Sequence, residues 1–228
     1  GGQTNIEHAA ALFDEIDARG DCTVYAMDVS SFFDTLDHRL LRDHVAAILG
    51  TERLEGHHGT VWRNVTKYSW VETDDLDRVL GKKRVLTGRI CTEEEFKEHV
   101  QGRSKGLVRK HTDRFGIPQG TPISGLYANI YMRPFDSALT VWCSKHDASY
   151  RRYSDDIAVV VPNSSPAINA ETVVSDMLKK FGLATSTGKT EIAVFRSGQL
   201  VSAKPIQYLG FTYDGQRKLI RPSSIDAY

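Results

Sequence analysis

At 228 residues, with 40% hydrophobic and 25% charged side chains, the chain has the length and mixture of a globular protein with one sizeable core or two small ones. No apolar run approaches the roughly 20 residues of a membrane span, and the polar start lacks the basic region of a signal peptide. Formal net charge is zero, from 29 basic and 29 acidic residues, so a uniformly basic nucleic-acid binder is excluded and any such contact must rest on local clusters.

Residues Ile6 to Ala18 carry an amphipathic helical pattern, with Ile6, Ala10, Phe13 and Ile16 near one face, and Gly20-Asp21 breaks it. Thr23 to Val29 is a predicted strand, rich in β-branched and aromatic residues, with a carboxylate near its end. Asp37 stands as the N-cap of a helix whose apolar side is Leu40, Leu41, Val45, Ile48 and Leu49. From Gly50 to Phe115 the pattern is weaker. It predicts a helix around Thr60 to Tyr68, a charged segment, a short helix opened by Thr92 with Glu95 at capping-box spacing, and a basic strand from Lys105 to Phe115. Ile123 to Trp142 is a long helix, and Tyr150 to Val161 a hairpin with a tight polar turn at Ser154-Asp155. Pro166 to Phe181 is a helix with Val173, Val174, Met177 and Leu178 apolar; Glu191 to Phe195 is a strand, and Ile206 to Tyr213 opens a terminal hairpin.

Without its middle segment the order is strand, helix, strand-turn-strand, helix, strand. That is a split β-α-β arrangement: an α+β fold with an antiparallel sheet backed by two helices, plus a partly helical insertion. Many unrelated proteins share this order, so function has to be argued from side chains. Basic residues gather at Arg103, Lys105, Arg109, Lys110 and Arg114, at Lys82-Lys83-Arg84, and at Arg151-Arg152. Cys22, Cys91 and Cys143 form no C-x-x-C pair and no metal-ligand spacing with histidines, and read as reduced, mostly buried thiols of a cytoplasmic protein.

Two features point to chemistry. Asp28 follows the apolar run Tyr25-Ala26-Met27, where a buried strand opens to solvent. Asp155-Asp156 sits between two apolar strands, and adjacent acids at a hairpin tip repel one another. A bound divalent cation offsets that cost. In the split arrangement the strand end and the hairpin tip lie side by side, so Asp28, Asp155 and Asp156 form a candidate oxygen-ligand set for Mg²⁺ or Mn²⁺.

The surrounding residues resemble the reverse transcriptase family. YAMDVSSFFDTLDH (residues 25–38) resembles motif A, GIPQGTPISGLYANIYM (116–132) motif B, and YRRYSDDI (150–157) motif C. GLATSTGKTEI (182–192) resembles motif D and QYLGF (207–211) motif E. The order of all five matches the family. The resemblance implies a polymerase palm that joins dNTPs to a DNA or RNA primer on an RNA template with two Mg²⁺ or Mn²⁺ ions. It implies Asp28, Asp155 and the carbonyl of Val29 as metal ligands, with Asp156 as the second acid of motif C. Phe33, five positions after Asp28, matches the ring that selects deoxynucleotides by clashing with a 2′-hydroxyl. Gln119 and Gly120 match residues beside the nascent base pair, Lys189 a lysine near the leaving pyrophosphate, and Leu209-Gly210 the primer grip. Ser154 stands where alanine or methionine is commoner, and the stretch between motifs A and B is long.

The implied organisation is a first palm part at 1–49, an insertion or fingers-side segment at 50–115, the second palm part at 116–213, and 214–228 leading toward a thumb. Fingers and thumb are expected from further protein segments. The wording of motifs B and C is similar to bacterial enzymes, above all those of phage defence and abortive infection, with group II intron and retron enzymes as neighbours. An RNA-dependent RNA polymerase shares the palm but usually carries an aspartate at the Phe33 position. A non-catalytic nucleic-acid-binding module is the remaining alternative.

Overall fold

The structure, a computed structural model, describes residues 4–81, 90–102, 106–164 and 169–222. The basic residues Lys82, Lys83, Arg84, Arg103 and Lys105, and Pro166 at the expected helix start, lie outside the described residues.

Helix α1 (Asn5–Arg19) begins at a capping box between Thr4 and Glu7 and ends at Gly20, whose φ of 66° suits glycine. Strand β1 (Cys22–Asp28) follows, then the short α2 (Phe32–Thr35) and α3 (His38–Leu49), the latter capped by Asp37 through the amide of Leu40. The middle segment contains α4 (Gly56–Thr66), β2 (Ser69–Trp70), α5 (Thr73–Leu80) and α6 (Glu93–Glu95). The last runs into a π-helical stretch, Phe96–Gln101, before β3 (Arg109–Lys110). Then come α7 (Pro122–Lys145), the hairpin β4 (Ser149–Tyr153) and β5 (Asp156–Pro162), α8 (Ala170–Lys179), β6 (Glu191–Arg196) and β7 (Gln199–Leu200). Strands β8 (Ile206–Tyr208), β9 (Phe211–Tyr213) and β10 (Lys218–Ile220) complete the order.

The main sheet runs β4-β5-β1-β6-β7 and is antiparallel throughout. Strand β1 lies at its centre, and its alternation feeds two cores. Tyr25 and Met27, with Ile157 and Val159 of β5, pack on one side against α3, α7 and α8. Val24 and Ala26, with Ala158 and Val160, pack on the other against α1 and the β8-β9-β10 sheet. The expected α+β fold with its split β-α-β order is present. The backing is more extensive than expected: both faces are covered, which is why β1 reads as a continuous apolar run.

Two helical faces differ from expectation. In α1 the buried residues are Ala9, Leu12, Phe13 and Ile16, while Ile6 in the first turn is 64% exposed. In α3 the inner face is His38, Leu41, Val45 and Ala46, and Ile48 and Leu49 face out. The basic strand expected from Lys105 to Phe115 is only the two-residue β3, paired with β2. Helix α7 passes through Pro134 without ending. The lost hydrogen bond is offset by burial of Tyr131, Met132, Phe135 and Leu139.

Candidate active site

Strand pairing places the acids. Asp28, the last residue of β1, is the register partner of Asp156, the first of β5. Ser154 and Asp155 form the two-residue connection from β4, and Ser154 adopts a left-handed φ of 55°. The amide of Val29 donates to the carbonyl of Asp155 at 3.1 Å, so the end of β1 and the hairpin tip are tied directly.

The loop after α8 closes on Asp28 from the other side. The Ser30 amide donates to the Ala184 carbonyl at 2.8 Å, and the Ser186 amide to the Asp28 carbonyl at 2.7 Å. The Ser186 hydroxyl donates to Oδ2 of Asp28 at 2.7 Å, and Nζ of Lys189 stands 3.7 Å from the same oxygen. Ser186 is buried, whereas the Lys189 side chain is 69% exposed.

Burial, together with the neighbouring charges of Asp155 and Asp28, pushes the Asp156 carboxyl up to about 6, against the opposing effect of Arg221. Among the described residues no three His, Cys, Asp or Glu side chains are gathered closely enough to hold a metal ion as they stand. One Asp28 oxygen is engaged by Ser186 and Lys189. The donor set nevertheless fits a hard divalent cation. Three carboxylates stand at the paired ends of β1 and β5 and on the turn between β4 and β5, and an open set leaves positions for water and phosphate oxygens.

These acids line a cleft of about 1030 Å³ together with Lys189, Glu191, Lys204, Tyr208 and the turn Leu209-Gly210. That turn joins β8 to β9 with positive φ at both residues, 49° and 85°. The Arg221 amide donates to the Gly210 carbonyl at 2.9 Å and fixes the turn from behind.

The motif B loop is pinned elsewhere, along the segment after Asp28. The Ile117 amide donates to the Phe33 carbonyl at 2.8 Å and the Gly116 amide to the Leu36 carbonyl at 2.9 Å. Gly116 has φ 90°, and a Cβ there would meet the Asp34 carbonyl oxygen at 3.0 Å. Phe32 is buried and Phe33 half-buried, their rings edge to face at 5.3 Å, and both pack on the core between the sheet and α7. Gln119 is exposed and lines a second groove with Asp34, Tyr68 and His111. Gly120 has open space where a Cβ would stand; its φ of 88° is what calls for glycine. Asp28, Asp155, Asp156, Lys189, Leu209 and Gly210 thus share one cleft, while Phe33, Gln119 and Gly120 are not among its lining residues.

Three features were not read from the sequence: the Ser186 clamp, the Gly116 contact, and the partners of the basic clusters. Arg109 bonds Asp75 at 2.7 Å and Glu72 at 3.4 Å, and lies over Trp70. Arg151 pairs with Glu15 and Arg152 with Asp136. These charges are matched within the chain. The only local signal for Ser186 was the polar run Thr185-Ser186-Thr187 beside Gly188-Lys189. Cys22, Cys91 and Cys143 are free thiols, the first and last buried. Among the described residues no helix is long and apolar enough to cross a membrane.

Comparison with known proteins gives three findings. Residues 2–213 match the sequence profile of the family described as reverse transcriptase (RNA-dependent DNA polymerase). No curated protein matches the sequence. The fold is similar to that of apo telomerase from Candida tropicalis, with TM-score 0.60 and 15% identity over 98% of this chain and 37% of that one. It is also similar to telomerase from Candida albicans bound to a fragment of telomeric RNA, with TM-score 0.55 and 14% identity over 93% of this chain and 35% of that one. The chain therefore spans about a third of the length of these structures, and at such identity the likeness is one of fold.

Proposed function

Because the chain belongs to the reverse transcriptase (RNA-dependent DNA polymerase) family, we propose that its acidic cleft adds deoxynucleotides to a primer 3′-hydroxyl on an RNA template. The observation that carries the reading is the register of Asp28 against Asp156, with Asp155 on the adjoining turn, in one cleft with the Leu209-Gly210 turn. Two Mg²⁺ or Mn²⁺ ions, held by Asp28, Asp155, Asp156 and the Val29 carbonyl, would supply Lewis acidity at the transferred phosphoryl group.

The chain's own residues do the rest. Ser186 holds Asp28 in place, and the exposed Lys189 ammonium, 3.7 Å from Oδ2 of Asp28, turns toward a leaving pyrophosphate. Phe33, braced by Phe32 and tied through its carbonyl to Ile117, excludes a 2′-hydroxyl. Gln119 and Gly120 face the nascent pair from the motif B loop, and the Leu209-Gly210 turn positions the primer end. Residues 1–49 and 116–213 act as the palm and 50–115 as the fingers-side segment. Residues 214–228 lead toward a thumb, with further protein segments supplying the remaining surfaces. The free cysteines are consistent with a cytoplasmic setting.

We place the chain in the bacterial branch, in phage defence, from the resemblance of GIPQGTPIS and RRYSDDI to those enzymes. The test is primer extension by the whole protein with dNTPs or NTPs, beside Asp155→Ala. Loss of one ligand removes several kcal/mol of charge stabilisation, so extension should fall roughly 10³-fold or more with the fold retained. Undiminished extension by a folded Asp155→Ala protein overturns the reading, and preferential use of NTPs overturns the choice of substrate. Phage plating on cells carrying either version decides the defence role: protection must depend on Asp155.

A further inference from the structure

The Arg152 side chain is only 8% exposed and donates to four acceptors. Nε and one terminal nitrogen bind the two oxygens of Asp136 on α7, each at 2.8 Å. The other terminal nitrogen binds Oδ1 of Asn129 at 3.2 Å and the carbonyl of Ser154 at 2.8 Å. Asp136 also accepts from the Tyr150 hydroxyl. Ser154 is the residue immediately before the acid pair, and its left-handed backbone is disfavoured for a side chain other than glycine. A buried guanidinium therefore grips the strained residue of the turn and anchors it to the helix that continues from Gln119-Gly120.

We propose that Arg152 is a positioning residue for the acidic turn: it fastens the Ser154 carbonyl to Asp136 and Asn129, and so sets the direction in which Asp155 and Asp156 face the cleft. This rests on the reading of that cleft as a metal site. Strand pairing holds Asp156 opposite Asp28, and the Val29 amide holds the Asp155 carbonyl from the β1 side; the Arg152 bond to the Ser154 carbonyl fixes the turn on the other flank of Asp155. The fork of five donors suits the task. A lysine carries the charge but presents one nitrogen, which cannot span both Asp136 oxygens and the Ser154 carbonyl together.

The test uses Mn²⁺ alone as probe, titrated into the protein and followed by the electron paramagnetic resonance signal of the free ion, with thermal melting in parallel. The proteins are the unmodified chain, Arg152→Lys and Asp155→Ala. The expected result is a cooperative melt for Arg152→Lys with Mn²⁺ affinity 10- to 100-fold weaker, as for other groups that orient ligands. Unchanged affinity in folded Arg152→Lys overturns the proposal and leaves Arg152 as a structural brace. If Arg152→Lys does not fold, the double variant Arg152→Met/Asp136→Leu replaces the buried pair by apolar side chains of similar size, and the same two outcomes apply. Binding that persists in Asp155→Ala overturns the metal reading itself, and with it this proposal; binding lost in Asp155→Ala but kept in Arg152→Lys overturns the positioning role alone.

Discussion

Around Asp28 the sheet is buried on both faces, whereas between Gly50 and Phe115 the described elements are short and mostly exposed. Strand β1 contributes alternate residues to two cores. Among the described residues of the intervening segment only Val65, Thr66 and Val100 are buried. Leu54, Trp62 and Val65 pack on the main core, and beyond them its order comes from local caps and ion pairs: the Thr92–Glu95 box, and Arg109 with Asp75 and Glu72. Exposed pairs of that kind contribute about 0–1 kcal/mol each. The part that carries the acids is thus held by packing, and the part beside the second groove by polar contacts that water competes for. Such a division suits a rigid catalytic floor beside a more adaptable nucleic-acid-facing segment.

The largest expected effect tests that division directly. Phe135, fully buried between α7 and the sheet, should cost about 3–5 kcal/mol as Phe135→Ala. Val79 on α5 is 40% exposed, and Val79→Ala should stay within about 0.5 kcal/mol. Urea unfolding of the two variants measures both. Comparable losses would mean that the intervening segment packs as tightly as the sheet, and the contrast would fail.

The same contrast explains what was legible in the sequence. The strand expected from Thr23 to Val29 (found as Cys22–Asp28), the Ser154-Asp155 turn and the Asp37 cap follow from short-range rules, and each is found. The apolar runs of β1 and β5 needed no knowledge of their partners. The faces of α1 and α3 differ from expectation because amphipathic spacing does not say which turns find a partner: Ile6 and Ile48 fit the period yet stay exposed. The two-residue pairing of β2 with β3 sets Arg109 opposite Trp70, about forty residues away in the chain, a long-range match with no local pattern. At the site, the acids were readable as unlike their apolar neighbours. Ser186 and Arg152 were not, because a serine in a polar loop and an arginine in a strand ordinarily face water.

A smaller effect sharpens the picture at the edge of the packed region. Ser186→Ala removes a hydroxyl that donates to the Asp28 carboxylate while keeping the backbone bond to the Asp28 carbonyl. A hydrogen bond to a charged group is worth about 1.5–3 kcal/mol, and the half-buried Asp28 places this one near the lower end. The urea midpoint should fall accordingly. Hydrogen exchange should also speed up at the Ser30 and Ser186 amides, which tie the loop after α8 to the end of β1. An unchanged midpoint with unchanged exchange would mean that the backbone bonds alone hold the loop.

The smallest effect lies at the seam between the two regions. His38 opens α3, and its Nε2–H donates to the Gly116 carbonyl at 2.6 Å. Its ring lies edge to face with Trp62 of α4 and beside the His111 ring, which itself stacks on Tyr68 at 4.5 Å. Burial holds the imidazole below its ordinary pKa; the Gly116 bond and the carboxylates of Asp37 and Asp113 oppose the shift, and His111 adds to it. The neutral ring is therefore favoured in the folded chain relative to the unfolded one. The sign follows: the His38 contribution is complete above the unfolded value near 6.5 and is lost as pH falls toward the lower folded value. Unfolding free energies at pH 7.5 and 5.5 should differ more for the unmodified chain than for His38→Gln, which keeps a side-chain N–H for Gly116 and cannot titrate. Protonation keeps the Nε2–H bond to Gly116 but puts a charge into the buried seam beside His111, so hydrogen exchange at the His111 amide, which bonds the Tyr68 carbonyl across that seam, should rise at pH 5.5 while β1 and β5 stay protected. Equal pH sensitivity in both proteins would assign the effect to other groups and would remove His38 as the joint between the packed floor and the exposed segment.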